Sequence, residues 1–323
     1  MTRPGTEAPA PILALDIGGT KTAAALVEVS RDGSSARVLE RSTAPTPARQ
    51  GPEAILAGAL DLLSGLPVPA GIVPSAVGIA SAGVITPGRG IISHATDSLT
   101  GWAGTDVARA VREGTGLPVG VLNDVHAHGL GEARFGIGRE HSSLLLVAVG
   151  TGIGGCLVVE GEVQLGAHGA AGHVGHVSVP EAEGVACSCG RSGHLEGLAS
   201  GPGLLALAHR HGITAADGSA PADGRALAAL AASGDAGALA VHELVGRATG
   251  RAIGGLLNVL DPDVVAVTGG VSALGEHWWQ AVREGVAHDA MDVVAATAVL
   301  PAAAGNDAAL LGAAVHALDH ADR

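Results

Sequence analysis

Aromatic side chains are nearly absent from this chain of 323 residues: it has one Phe, three Trp and no Tyr. Its cores must therefore be built from Val, Ile, Leu and Ala, and much of the 47% hydrophobic content is alanine. Cysteine is scarce too. Three cysteines cannot form a fully paired disulfide framework, so reduced thiols and a soluble, cytoplasmic protein are expected. Basic residues are outnumbered, 18 against 31 acidic, for a formal net charge of −13. No basic stripe is visible, which argues against a nucleic-acid partner. A single small phosphate ligand is not excluded, because backbone N–H groups can hold it without net positive charge. No run approaches the ~20 apolar residues of a membrane span, and the lead MTRPGTEAPAP has no apolar signal-peptide core.

Glycine is abundant instead, with 51 residues, and points to many tight turns. ILALDIGGT (12–20), TAAALVEV (22–29) and ARVLERST (36–43) read as three strands in an antiparallel start. Residues 52–66 have helical spacing at Ile55, Leu56, Leu60 and Leu63. PSAVGIASAG (74–83) reads as a buried strand, GTDVARAVREGTG (104–116) as a helix with a Thr or Asp start and a Gly stop, and PVGVLND (118–124) as a strand ending on Asn123-Asp124. The order then partly repeats. Residues 142–164 read as strand, glycine turn, strand; a long helix follows near 235–260, then a strand into paired glycines (263–272) and a closing helix (306–321). This weak repeat predicts two related α/β domains with a cleft between them.

The glycine turns carry chemistry. In DIGGTKT (16–22) a strand ends in a carboxylate, bare backbone N–H groups and a hydroxyl. That set suits the terminal phosphates and Mg²⁺ of a nucleotide, with Asp16 holding the cation through water; a plain hairpin turn has the same pattern. VGTGIGG (149–155) has no following helix and no closing GK[ST], so it is neither a dinucleotide fingerprint nor a P-loop. Thr151 between glycines suits a second phosphate clamp, and TGG (268–270) can pass beneath an adenine or ribose. Asn123-Asp124 sits at a strand end, where α/β folds place ligands. Asp124 there can accept a proton from a hydroxyl attacking a γ-phosphate, while Asn and Asp are also favoured helix caps.

AGHVGH (171–176) and CSCGRSGH (187–194) concentrate histidine and cysteine within a short stretch. Metal ligands, substrate ligands and mere composition are all open readings of these residues taken alone.

In their order, DIGGTKT, LNDVHAHGLGE, GTGIGG, AGHVGH, CSCGRSGHLEGLASG and VTGGVS resemble the ROK family of sugar kinases and related repressors, over about residues 12–316. The resemblance implies an actin-like or hexokinase-like ATPase fold of two α/β domains, 1–122 with 306–323 and 123–305. It implies ATP-dependent phosphorylation of a hexose 6-hydroxyl and a homodimer. By position, Asp124 is implied as catalytic base, and Gly83, Asn123 and Glu196 as sugar contacts. Asp16 with Gly18, Gly19, Thr20 and Lys21 is implied as the Mg-phosphate end, and Gly152, Gly269 and Gly270 as nucleotide contacts. His176 is implied as both zinc ligand and sugar contact, since its two ring nitrogens face opposite ways.

Two departures stand out. The family's metal site is one His and three Cys, whereas the last position here is His194. His176, Cys187, Cys189 and His194 still make four donors of zinc-compatible type, in a structural role. The second is His173, where glucokinase-type members carry Glu. AGHVGH is similar to the family's N-acetylmannosamine kinases, and a neutral imidazole offers a donor and an acceptor where a carboxylate only accepts. An N-acetylmannosamine kinase is thus the expectation, with glucokinase or another hexose kinase as alternative. A sugar-sensing regulator is disfavoured: the chain is acidic, and DIGGT begins too early for a helix-turn-helix domain ahead of it. Cys156 is expected in the core. Trp278-Trp279 fits either a core or an oligomer contact, and His168 is a minor metal candidate.

Overall fold

A computed structural model describes residues 8–320; the first seven residues of the polar lead, and the last three of the chain, lie outside the described residues. In chain order the elements are β1 (Ala10–Ile17), β2 (Lys21–Val29), β3 (Ala36–Pro45), α1 (Pro52–Ser64), β4 (Ala76–Ser81), β5 (Val84–Ile85), β6 (Ile92–His94), α2 (Val107–Thr115), β7 (Val119–Asn123) and α3 (Asp124–Phe135). There follow β8 (Ser143–Val149), β9 (Ile153–Val159), β10 (Glu162–Val163), α4 (Leu195–Ala199), α5 (Gly201–Arg210), α6 (Gly224–Ala232), α7 (Ala236–Leu260), β11 (Val264–Thr268), α8 (Glu276–Asp289), β12 (Ala298–Pro301) and α9 (Ala308–His320). No helix among the described residues is long and apolar enough to cross a membrane.

Two five-stranded sheets share one topology. Their orders are β3-β2-β1-β4-β7 and β10-β9-β8-β11-β12. Numbered within each sheet, both read third-second-first-fourth-fifth, so the repeat faint in the sequence is a repeat of strand order. In the first sheet β1 pairs antiparallel with β2 and parallel with β4, and β4 pairs parallel with β7. In the second, β11 lies parallel to both β8 and β12.

The chain forms two compact units. The first runs to Ser143 and takes in Cys156–Ala171 and the stretch from Ala303; the second holds Leu144–Gly155 and Gly172–Ala302. In the first unit all six residues of β4 are buried, as expected for a central strand whose faces are both covered. Ile55 and Leu63 of α1 join Leu15, Ile79, Trp102 and Val111 in its core. Helix α2 starts where Asp106 accepts the Arg109 N–H at 3.0 Å and stops at Gly116 in a left-handed conformation. Helix α3, which begins just past residue 122, also belongs to this unit, because it lies almost backbone to backbone with α9. A Cβ on Gly131 would overlap the Ala308 carbonyl, and one on Gly312 the Ala127 carbonyl.

In the second unit, Gly246, Gly250 and Gly254 fall on one face of α7 at helical spacing and admit α8. Arg251 on the same helix reaches Asp289 at 2.8 Å and Glu181 at 3.0 Å. Trp278 and Trp279 are core: they are 0% and 9% exposed, packed edge to face, with Trp279 Nε1 donating to the Ser272 carbonyl. In the first unit Cys156 is buried as well.

Candidate functional site

The parallel strands of the first sheet end level with one another. Ile17 of β1 pairs with Ser81 of β4, and Ser81 with Asn123 of β7. This register lines up three loops at the carboxyl ends of parallel strands: the turn after Asp16, the Ala82–Gly83 loop and Asn123-Asp124. Such ends are where α/β sheets bind ligands.

Asn123 does two things at once. Its side-chain oxygen caps α3, accepting from the Val125 N–H (3.0 Å) and the His126 N–H (3.2 Å). Its amide nitrogen donates to the Gly83 carbonyl and to Asp124 Oδ1, both at 2.9 Å. The Val125 N–H also reaches Asp124 Oδ1 at 2.9 Å. One carboxylate oxygen of Asp124 is therefore held, and no described residue hydrogen-bonds Oδ2. The helix cap suggested by the sequence is thus made by Asn123, and it leaves one oxygen of the neighbouring carboxylate open.

Burial pushes the Asp124 carboxyl above the ordinary carboxylate range, against the lowering effect of the Val125 and Asn123 hydrogen bonds. Asp16 is pushed up to about 6, by burial first and then by the negative charge of Asp124, with Lys21 and Arg41 acting the other way. Two carboxylates held near each other and away from water form a hard-oxygen environment that a divalent cation relieves. Asp16 and its turn thus fit Mg²⁺.

The turn itself is braced by Thr46, a residue with no signal in the sequence. Its hydroxyl donates to the Gly18 carbonyl at 2.7 Å and pairs with Thr22 at 2.9 Å, and its N–H donates to the Thr20 carbonyl. Gly18 closes the turn on the Lys21 carbonyl at 3.1 Å. The neighbouring loop is pinned where buried Trp102 Nε1 donates to Ser81 Oγ at 3.2 Å.

In the second unit, Gly150-Thr151-Gly152 turns β8 into β9, with the Gly150 N–H on the Gly152 carbonyl at 2.9 Å. The turn is held by Glu196. Its Oε2 accepts the Ile153 N–H at 2.8 Å, and its Oε1 takes a very short hydrogen bond from the Ser188 hydroxyl. Glu196 therefore ties the glycine turn to the cysteine loop. Ser188 lies between Cys187 and Cys189, and only its place there could have drawn attention to it. Gly269 follows β11 with φ +95°, and a Cβ there would overlap the Val149 carbonyl, so only glycine lets the ends of β8 and β11 come together. Gly270 faces open space.

His176, Cys187, Cys189 and His194 bring their donor atoms within 4.8 Å of one another. Cys187 Sγ lies 3.6 Å from His176 Nδ1, and Cys189 Sγ 3.2 Å from His194 Nδ1. A tetrahedral zinc with legs of ~2.0–2.3 Å spaces its ligands at about 3.3–3.8 Å, so the set fits zinc. His194 precedes α4 in the cap position but makes no side-chain cap bond; its ring turns to the cluster. His168 is not part of the group. Because His176 presents Nδ1 to the cluster, Nε2 points away from it. His173 is exposed and stacks on His176, ring centroids 6.1 Å apart.

Family models match residues 12–320 of the chain to the ROK family. The chain belongs to the ROK family. It is 34% identical over 303 residues to an N-acetylmannosamine kinase of Escherichia coli (strain 55989), covering 94% of this chain and 97% of that one. It is 32% identical over 312 residues to a glucokinase of Thermotoga maritima, covering 94% and 96%. A ROK family glucokinase from Streptomyces griseus, solved in complex with glucose and AMPPNP, superposes with a TM-score of 0.77 at 30% identity, covering 94% of this chain and 98% of that one. The fold of this ROK protein is thus the actin-like, hexokinase-like ATPase fold expected from its motifs.

Proposed function

We propose that this ROK protein is an ATP-dependent sugar kinase that phosphorylates the 6-hydroxyl of N-acetylmannosamine. The observation that carries the reading is Asp124, with Oδ1 fixed by Asn123 and Val125 and Oδ2 open. The sugar's 6-oxygen attacks the γ-phosphorus of ATP, its proton passes to Asp124 Oδ2, and the bond to the β-phosphate breaks with its electron pair leaving on ADP. Burial, by raising its pKa, makes Asp124 a stronger base toward that proton than an exposed carboxylate. Mg²⁺, when bound, offsets the charge on the phosphates. Asp16, Gly18, Gly19, Thr20 and Lys21 hold the phosphate end of the nucleotide, and Thr151, Gly152, Gly269 and Gly270 make further nucleotide contacts.

In this reading Gly83, Asn123 and Asp124 contact the sugar, as do His173, His176 and Glu196. His176, Cys187, Cys189 and His194 hold a structural zinc that rigidifies the loop carrying Ser188 and Glu196. His173 distinguishes N-acetylmannosamine from glucose, because an imidazole can pair with a 2-acetamido group where the Glu of glucokinase-type members would accept from a free hydroxyl. The enzyme acts in the cytoplasm as a homodimer, on small molecules alone. Glucokinase is the second reading, favoured by the similar identity to the Thermotoga maritima enzyme.

A coupled ADP-release assay with N-acetylmannosamine, glucose, N-acetylglucosamine and mannose tests both. N-acetylmannosamine should give the highest kcat/KM, and Asp124→Asn should lower kcat at least ~100-fold, in line with loss of a general base. Turnover of none of the four sugars, or an Asp124→Asn variant at full rate, ends the kinase reading. A preference for glucose selects the second reading.

A further inference from the structure

The first unit contains a cavity of about 210 Å³ that includes none of the residues assigned above to sugar, nucleotide or metal. That is well over ten times what one water needs (~10–15 Å³). Its walls come from the β5–β6 hairpin, α2, β7, α3, the β10 segment and α9.

Three features give it a chemical character. Arg89 and Arg112 both line it, and neither guanidinium has a hydrogen bond or ion pair to any described residue. Of the acidic groups on its wall, Asp319 lies 3.9 Å from Arg134, and Glu162 lies 3.6 Å from His320 Nε2, an ion pair only when that imidazole is protonated. In a chain of net charge −13, Arg89 and Arg112 thus bring to one cavity wall two guanidiniums that no carboxylate among the described residues occupies.

The second feature is backbone. β7 is an edge strand whose partner is β4. The Val77 N–H donates to the Pro118 carbonyl, so Pro118, Gly120 and Leu122 face β4 and the N–H and C=O groups of Val119 and Val121 turn the other way. Both valines line the cavity. An edge strand offers unpaired donors and acceptors to whatever lies beside it.

The third is His316. It stacks on His320 with ring centroids 4.6 Å apart, and no described residue hydrogen-bonds either of its ring nitrogens. Burial, followed by the neighbouring His320, pushes it down to about 3, so its imidazole is neutral and offers one N–H donor.

We propose that this cavity is a second ligand site, for a small anion of the carboxylate or phosphate-monoester class. Arg89 and Arg112 meet the charged group at the mouth, and the Val119–Val121 edge and the His316 ring meet its polar remainder. Binding there does not depend on the kinase reading. No lining residue belongs to the proposed catalytic set, and the test reads binding, not turnover.

Isothermal titration of the full chain, with ADP and Mg²⁺ present throughout, tests it with four probes: inorganic phosphate, acetate, glucose 6-phosphate and neutral glucose. At least one anionic probe should bind saturably at one equivalent, and which one does so separates free phosphate, phosphate monoester and carboxylate. Glucose serves as the control for the sugar residues. The double variant Arg89→Ala/Arg112→Ala changes two exposed side chains without touching the core, and should weaken that binding at least ~10-fold, as for loss of charge-assisted hydrogen bonds. The ring signals of His316, assigned with His316→Gln, should shift on titration of the unaltered protein. Absence of saturable binding by all three anions, or binding unchanged in the double variant, overturns the proposal.

Discussion

The side-chain amide of Asn123 donates to Asp124 Oδ1 at 2.9 Å while the oxygen of the same side chain caps helix α3. The two roles can be separated. Asn123→Asp keeps a capping oxygen, but it replaces the donor beside Asp124 with a second carboxylate. Activity should fall at least ~10-fold, and the acid limb of the rate profile should move to higher pH as the like charge raises Asp124 further. Asn123→Ala should cost about 1 kcal/mol in urea unfolding as well as activity. An Asn123→Asp variant with an unmoved pH profile would show that the amide does not tune Asp124.

Asp16 gives a pH prediction of opposite sign to that of a salt-bridged carboxylate. Its folded value of about 6 lies above the ordinary value of 3.8. Between these values the folded chain holds more protons than the unfolded one, so stability from this group is fully present below about 3.8 and is lost as pH rises through 6. At pH 7.5 without Mg²⁺ the ionised group costs on the order of 2–3 kcal/mol. Asp16→Asn should therefore raise the melting midpoint by several degrees at pH 7.5, leave it nearly unchanged at pH 4, and abolish turnover. Equal shifts at both pH values would contradict the burial of this charge.

Purified protein should carry about one zinc per chain, by metal analysis, if the four donors act together. His194→Cys, which restores the family's more usual ligand, should keep the metal; His194→Ala should lose it to a mild chelator. The loss should also loosen the loop holding Ser188 and Glu196, visible as faster proteolysis near residue 188. Zinc retained unchanged in His194→Ala would remove this histidine from the ligand set.

His173→Glu should shift the ratio of kcat/KM values from N-acetylmannosamine toward glucose by roughly 10-fold or more, the scale of a single polar interaction with the substrate. The four metal donors are left intact, so zinc content should not change. An unaltered sugar preference would place specificity elsewhere.

Local chemistry was legible in the sequence because it depends on neighbours along the chain. The Asp106 and Gly116 ends of α2, the Asn123 cap, the glycine turns after Asp16 and Val149, and the crowding of His and Cys within 176–194 are all short-range patterns, the last read as a metal set only through the family resemblance. Family motifs in their order extended that to the fold. The core positions of Trp278 and Trp279 were not legible, since a hydrophobic pair reads alike in a core and at an interface until its burial is known. What only the tertiary structure decided is register and return. The sequence does not say that Ile17, Ser81 and Asn123 end level, because strand pairing is fixed by contacts across many residues. Nor does it say that Thr46 braces Gly18, or that Glu196 anchors Ile153 across 43 positions. The stretch from Ala303 rejoins the first unit because Gly131 and Gly312 let two distant helices meet backbone to backbone. Propensity acts over a turn or a strand; these relations come from packing, and packing joins residues that the chain keeps apart.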